Sequence, residues 1–169
     1  LEQMTGRLRN HIINAKKQMK IDISENPSDF NFDIAIQGSA EEKKLRKNLA
    51  LKLLASKNAI IIIAKNPDVC GGILVAFDDN RAYMLHSWQK EVVPRGTISA
   101  LIFDAVNWVF AHSLCQFDFE GSVLQSIDYF FSGFNGDIIP YGHLFWSKNK
   151  EGLYNLINKS MNISGRLII

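Results

Sequence analysis

The chain has 169 residues, 47% of them hydrophobic and 21% charged, and 19 basic against 17 acidic side chains leave a net charge of +2. A chain this long buries roughly two thirds of its unfolded surface, so it needs no disulfide or metal to fold. A mean hydropathy of −0.03 excludes a disordered tail, and a pI near 8.5 is too mild to mark a nucleic-acid binder by charge alone. The longest apolar run, Ala59 to Ala64, is strand length and far from the roughly 18 residues of a spanning helix, which argues against a membrane span.

Leu1 opens the chain with no initiator methionine and no basic-then-apolar leader, so a piece of a longer protein is expected. Helical spacing of Leu8, Ile12, Ala15 and Met19 predicts a helix from Gly6 to Lys20, with Arg7, Arg9, Lys16, Lys17 and Lys20 elsewhere on its surface. Ile21 to Ile23 alternates like a short strand, and Asn26 to Asp29 is a polar turn. A second helix opens at Ser39, where Ser39 and Glu42 have capping-box spacing. Leu45, Leu49 and Leu53 are its expected buried stripe. Three strands follow, Ala59 to Ala64, Gly71 to Phe77 and Arg81 to Trp88, joined by short turns as an antiparallel meander.

Helical periodicity returns between Thr97 and His112, and a strand from Leu114 to Phe119 comes straight after it. Ser122 and Gln125 form another capping box, opening a helix that carries Ile127, Phe130, Phe131 and Phe134. Ile138 to Trp146 reads as a last strand and Gly152 to Met161 as a closing helix. The order is an α/β or α+β domain with mixed pairing, because a helix between the third and fourth core strands implies a parallel crossover. Cys70 and Cys115 lie in apolar, strand-like stretches with no metal-ligand spacing, and are expected to be reduced, buried thiols in a cytoplasmic protein.

Three antiparallel strands followed by two strand–helix alternations are similar to the GNAT acyltransferase superfamily. Two stretches carry the resemblance further. Phe117-Asp118-Phe119-Glu120-Gly121-Ser122, with Ile127-Asp128-Tyr129-Phe130-Phe131 and Ser132 to Gly136, resembles the F-D-F-E-G-S … I-E-x-F-F-x-x-F-G signature of bacterial GNAT-like relatives of the Fem-type aminoacyltransferases. Arg7 to Asn10 through Ala15 to Lys17 resembles the helix that opens the second lobe of such proteins. The resemblance spans nearly the whole chain. It implies a single GNAT-like domain over residues 1–169, the C-terminal lobe of a two-lobed protein, with a preceding lobe or a dimer partner covering an apolar patch.

The resemblance also implies an N-acyltransferase that moves an acyl or aminoacyl group from acetyl-CoA, another acyl-CoA or aminoacyl-tRNA to a primary amine, with no metal. The carrier's phosphates would meet the loop Arg95-Gly96-Thr97 at a helix N-terminus, with Ile98 standing where the family pattern has glycine. Read without the family, Pro94 to Thr97 is a turn with Thr97 as N-cap. The backbone of the third core strand, at Leu85 and His86, would hold the carrier arm. His86 alternates with Met84 and Trp88 on one face, where a structural histidine is the other reading.

Glu120 ends the fourth core strand, where ligands of α/β sheets bind, and is the candidate general base; its other reading is a turn-shaping residue. Alternation places Phe117 and Phe119 on one face and Asp118 and Glu120 on the other, the carboxylates about 7 Å apart. Ser122 is read as an N-cap. Tyr129 fits the family's Y-x-x-x-G-F, in which the hydroxyl returns a proton to the leaving thiolate; a half-buried packing aromatic is the alternative. Tyr141 is a weaker candidate of the same kind. Lys43, Lys44, Arg46 and Lys47 with the first basic helix form a solvated face or a guide for phosphate-rich RNA or lipid carriers. No tetrahedral metal set, G-x-S-x-G elbow or Walker loop is present, which disfavours hydrolase, zinc and nucleotide-triphosphatase readings. The competing reading is a non-catalytic lobe that scaffolds or holds substrate.

Overall fold

Four consecutive isoleucines, Ile60 to Ile63, bury their side chains alternately on the two faces of one strand, and the molecule is layered around them. Ile60 and Ile62 enter one apolar cluster and Ile61 and Ile63 the other, the pattern of a strand covered on both sides. Each such side chain contributes about 1.5–3 kcal/mol by leaving water. The structure, a computed structural model, describes residues 4–121, 125–140 and 165–168.

In chain order the elements are α1 (Gly6–Lys16), β1 (Lys20–Ser24), a 3-10 turn (Pro27–Asp29), α2 (Phe32–Ala35), α3 (Ala40–Ala55), β2 (Ala59–Lys65), β3 (Val69–Phe77) and β4 (Arg81–Gln89). α4 (Thr97–Ala111), β5 (Gln116–Asp118), α5 (Gln125–Ser132), β6 (Asp137–Pro140) and β7 (Gly165–Ile168) follow. The described strands form one sheet in the order β1-β2-β3-β4-β5-β7-β6. β1 to β4 pair antiparallel with their sequence neighbours, and β4 and β5 are parallel across α4. Mixed pairing with a parallel crossover is therefore what the sequence pattern predicts. Residues of α1, α4 and α5 fill the first cluster with one face of the sheet; α2, α3 and the segment at Phe30 fill the second.

Several local expectations need correction. α1 stops at Lys16, because the chain turns at Lys17 and Gln18 to start β1 at Lys20; Met19 is nevertheless buried, which explains why it matched the helical period. The capping box at Ser39 is present: the Glu42 amide donates to Ser39 Oγ at 3.3 Å and the Ser39 amide to Glu42 Oε2 at 2.8 Å. The leucine stripe of that helix is different. Ala50 and Leu54 are buried with Leu51 and Leu53 beside them, while Leu45 is 71% and Leu49 54% exposed. Cys70 is buried as expected, but Cys115 is exposed. The short helix α2 and the strand β7 are additions that the pattern does not announce. Ser122 as N-cap, Tyr141, the remainder of the strand to Trp146 and the closing helix lie outside the described residues.

One irregularity redirects a whole strand. β3 and β4 shift register between the pairs Leu74↔His86 and Val75↔Met84, leaving Leu85 as an extra residue in β4. Such a bulge inverts the alternation beyond it. Met84 accordingly enters the first cluster and Trp88 the second, so Met84, His86 and Trp88 do not share one face.

Candidate active site

The parallel pairing of β4 with β5 consists of Arg81↔Gln116, Ala82↔Phe117 and Tyr83↔Asp118. β4 then runs on to Gln89, while β5 ends at Asp118. Among the described residues no strand pairs with Met84 to Gln89 on the β5 side, so a gap opens there with the bulge at Leu85 on its edge. The aromatic residues of the Phe117–Phe134 stretch explain the divergence. Phe117 and Phe119 are buried; Phe119 lies 4.7 Å from Phe131 and 5.5 Å from Phe134, ring centre to ring centre. These rings hold the residues that follow β5 against α5 and the turn after it. The phenylalanines of that stretch thus serve packing, and shape the gap indirectly.

Glu120 sits where the chain leaves the sheet, half-buried, with φ of 63°, and Gly121 follows at 68°. Asp118 is fully buried, and its Oδ1 accepts the Glu120 amide proton at 2.7 Å. Asp118 therefore shapes the turn that presents Glu120. Tyr83, opposite Asp118 in register, donates its hydroxyl to Asp78 Oδ2 at 3.0 Å. His86 is half-buried; burial first, and the Arg46 guanidinium on α3 second, hold its imidazole below the ordinary value. His86 pairs with Leu74, a member of the second cluster, and so lies on the α3 side of the sheet.

The loop before α4 differs from its sequence reading in one respect. Gly96, not Thr97, is the N-cap, with φ of 93°. Thr97 is the first helical residue, buried, and its hydroxyl turns back to the Pro94 carbonyl at 2.6 Å. No side chain caps the first turn of α4; the Thr97 amide donates to the Pro94 carbonyl at 3.1 Å, which leaves the next amides, of Ile98 and Ser99, to meet an anion. Ile98 packs against the first apolar cluster. Its side chain is thus accommodated by the core.

Sequence reasoning missed what lies against this loop. A Cβ on Gly96 would come within 2.6 Å of the His11 carbonyl oxygen, so α1 is packed directly on it. His11 is half-buried, and its imidazole is lowered by burial, then by Arg95, then by Arg7. The α1 segment that carries Arg7 and His11 thus lies beside the loop that carries Arg95 and Gly96. No local sequence signal could have joined them, because the contact is made only by folding. Tyr129 is not half-buried: it is 77% exposed, and lines a cleft between α5 and α1. Among the described residues no group of three His, Cys, Asp or Glu could hold a metal ion, and no helix is long and apolar enough to cross a membrane.

No protein-family model and no curated protein matches the chain. Solved structures do. A GNAT family acetyltransferase from Elizabethkingia anophelis with acetyl-CoA bound superposes with a TM-score of 0.55 at 14% identity, over 90% of this chain and 97% of that one. PaiA N-acetyltransferase from Thermoplasma acidophilum in complex with coenzyme A gives 0.55 at 13% identity, over 88% and 98%. An acetyltransferase from Streptococcus agalactiae 2603 gives 0.53 at 12%, over 90% and 98%. At such identities the likeness concerns architecture, and on that level the chain has the fold of the GNAT acetyltransferases.

Proposed function

We propose that this chain is an N-acyltransferase that passes an acyl group from an activated carrier to a primary amine. The observation that carries this reading is the divergence of β4 and β5 after Tyr83 and Asp118, with Glu120 at its rim. Residues on both sides suit an acyl-coenzyme A. Among the described residues no strand faces β4 from Leu85 onward on that side, where its outward amides would hydrogen-bond an extended carrier arm. Arg95, Gly96 and Thr97, at the uncapped start of α4, would meet its phosphates. Bound there, the thioester supplies an activated carbonyl and a thiolate leaving group.

The chain's own part is positioning and proton handling. Glu120 accepts a proton from the incoming ammonium group, so that the amine lone pair can attack the carbonyl. The new C–N bond replaces the C–S bond, and Tyr129 is the assigned donor of the proton that the thiolate takes up. No metal enters this scheme. Two of the folds superposed above were solved with acetyl-CoA or coenzyme A, which supports a thioester donor. The resemblance to Fem-type proteins supports an aminoacyl-tRNA donor as the rival, in the same gap and by the same amine attack.

Calorimetric titration with acetyl-CoA, paired with thiol release over a panel of primary amines, tests this. Saturable binding weakened by Arg95→Gln, and turnover reduced about 100-fold or more by Glu120→Gln with binding retained, is the expected result. Full turnover in Glu120→Gln would remove the base assignment. Salt-sensitive tRNA binding without coenzyme binding would shift the donor to aminoacyl-tRNA. The second reading, a non-catalytic lobe of a two-lobed protein, is favoured by the exposed Leu45 and Leu49 on α3, and predicts neither donor bound.

A further inference from the structure

α1 bridges two glycines on separate elements. His11 lies against Gly96, while the Thr5 amide donates to the Gly133 carbonyl at 3.2 Å and a Cβ on Gly133 would sit 3.3 Å from Leu8 Cδ2. Between α1 and α5 a cleft of about 330 Å³ remains. Leu8 and Phe130 give it an apolar lining, and Arg7, His11, Tyr129 and Ser132 give it polar groups. This is within the size range of small-ligand sites, roughly 300–1,000 Å³.

The charge at its mouth is of one sign. Among the described residues no carboxylate lines the cleft, and the ion pairs use Lys16, Lys20, Lys47 and Lys65 but not Arg7. Arg7 and His11 both line the cleft, and a phosphate held there would accept hydrogen bonds from the guanidinium and the imidazole. Guanidinium groups match the oxygens of a phosphate in paired hydrogen bonds, and a doubly charged monoester gains most from several cationic donors. The adjoining apolar lining then asks for an apolar body on the same ligand.

We propose that the cleft between α1 and α5 binds a phosphate monoester carrying a small apolar body, with Arg7 and His11 on the phosphate and Leu8 and Phe130 against the apolar part. The site adjoins the transferase gap and goes beyond it: Tyr129 is common to both, but neither Glu120 nor β4 contributes to the lining of the cleft. The phosphate could belong to an acyl carrier or to a separate phosphorylated metabolite.

The test is calorimetry on the full chain with phenyl phosphate, inorganic phosphate and benzyl alcohol. Phenyl phosphate is expected to bind at least tenfold more tightly than either of the others. Arg7→Gln should weaken it at least tenfold, whereas Lys44→Gln, an equal loss of charge on α3, should leave it within twofold. Displacement of phenyl phosphate by coenzyme A would assign the phosphate to the carrier, and simultaneous binding would assign it to a separate ligand. Failure of phenyl phosphate to bind, or equal effects of the two variants, overturns the proposal. Glu120→Gln leaves phenyl phosphate binding unchanged, so loss of the transferase reading and loss of this one are told apart.

Discussion

At Gly96 backbone conformation and close packing impose the same requirement. Its φ of 93° is disfavoured for any residue with a Cβ, and that Cβ would lie 2.6 Å from the His11 carbonyl oxygen. The conformation alone costs a non-glycine residue about 1–2 kcal/mol, and the clash with backbone cannot be relieved by a rotamer change. Gly96→Ala is expected to destabilise by more than 2 kcal/mol by the same reasoning, read as a lower urea midpoint. A variant of unchanged stability would mean that α1 does not sit against this loop. Glu120 holds a similar left-handed backbone at φ of 63° without being glycine. Strain of this kind gathers at functional positions, and here the buried Asp118 carboxylate sustains it by accepting the Glu120 amide proton. The histidines set the pH response. His86 and His11 are both lowered chiefly by burial, with arginines adding to the effect. The unfolded chain therefore takes up protons before the folded one does, so stability is complete above the ordinary imidazole value of about 6.5 and falls as the pH drops below it. Asp22, Glu42 and Asp78 are lowered too, by hydrogen bonds from the Lys20 and Lys65 side chains, from Ser39, and from the Asn80 and Arg81 amides. Their contribution disappears only lower, as the pH falls through the carboxylate range of about 4. The urea midpoint should therefore drop between about pH 7.5 and 5.5, and His86→Gln should flatten that drop; an unaltered slope would count against a buried, neutral His86.

Helix ends show which elements the sequence specifies locally. After α3 the Lys57 amide donates to the Leu54 carbonyl and the Asn58 amide to that of Leu53, and Lys57 has φ of 59°. This is a Schellman motif filled by lysine where glycine is easiest. Ser113 closes α4 in the same way, with φ of 63°. Lys57→Gly should stabilise by about 1 kcal/mol, a gain in urea midpoint that leaves any activity untouched; no gain would mean that the strain is offset by contacts of the lysine stem. Elements with strong local signals were legible: the Ser39 capping box, the isoleucine strand and the crossover helix between β4 and β5. The faces of α3 were not, because leucines lie on more than one side of it and only packing against β2 selects Ala50 and Leu54. The extra residue at Leu85 was equally hidden. A bulge leaves no mark in the alternation of the sequence, so Met84 was placed on the same face as His86 and Trp88. Of the candidate site, Glu120 and the loop at Arg95 were legible by position along the chain; the partners of that loop on α1 were not.

On the scale of the molecule, the sheet joins an antiparallel block, β1 to β4, to the strands β5, β7 and β6. The first block is extensively paired, with β2 and β3 meeting from Ala59↔Ala76 to Lys65↔Val69. The seam between blocks is the set Arg81↔Gln116, Ala82↔Phe117 and Tyr83↔Asp118, and beyond it β5 and β7 are paired at Asp118↔Ile168. A ladder of three pairs at the middle of a sheet is a weak tie between two cooperative units. Amide hydrogens of Phe117 and Asp118 should consequently exchange through a sub-global opening that leaves Ile61 to Ile63 and Ile73 to Val75 protected. Mass-resolved exchange showing one protection level across both sets would mean that the seam opens only with the whole protein. If it opens alone, the same separation proposed to admit an acyl donor also sets where the native state first comes apart.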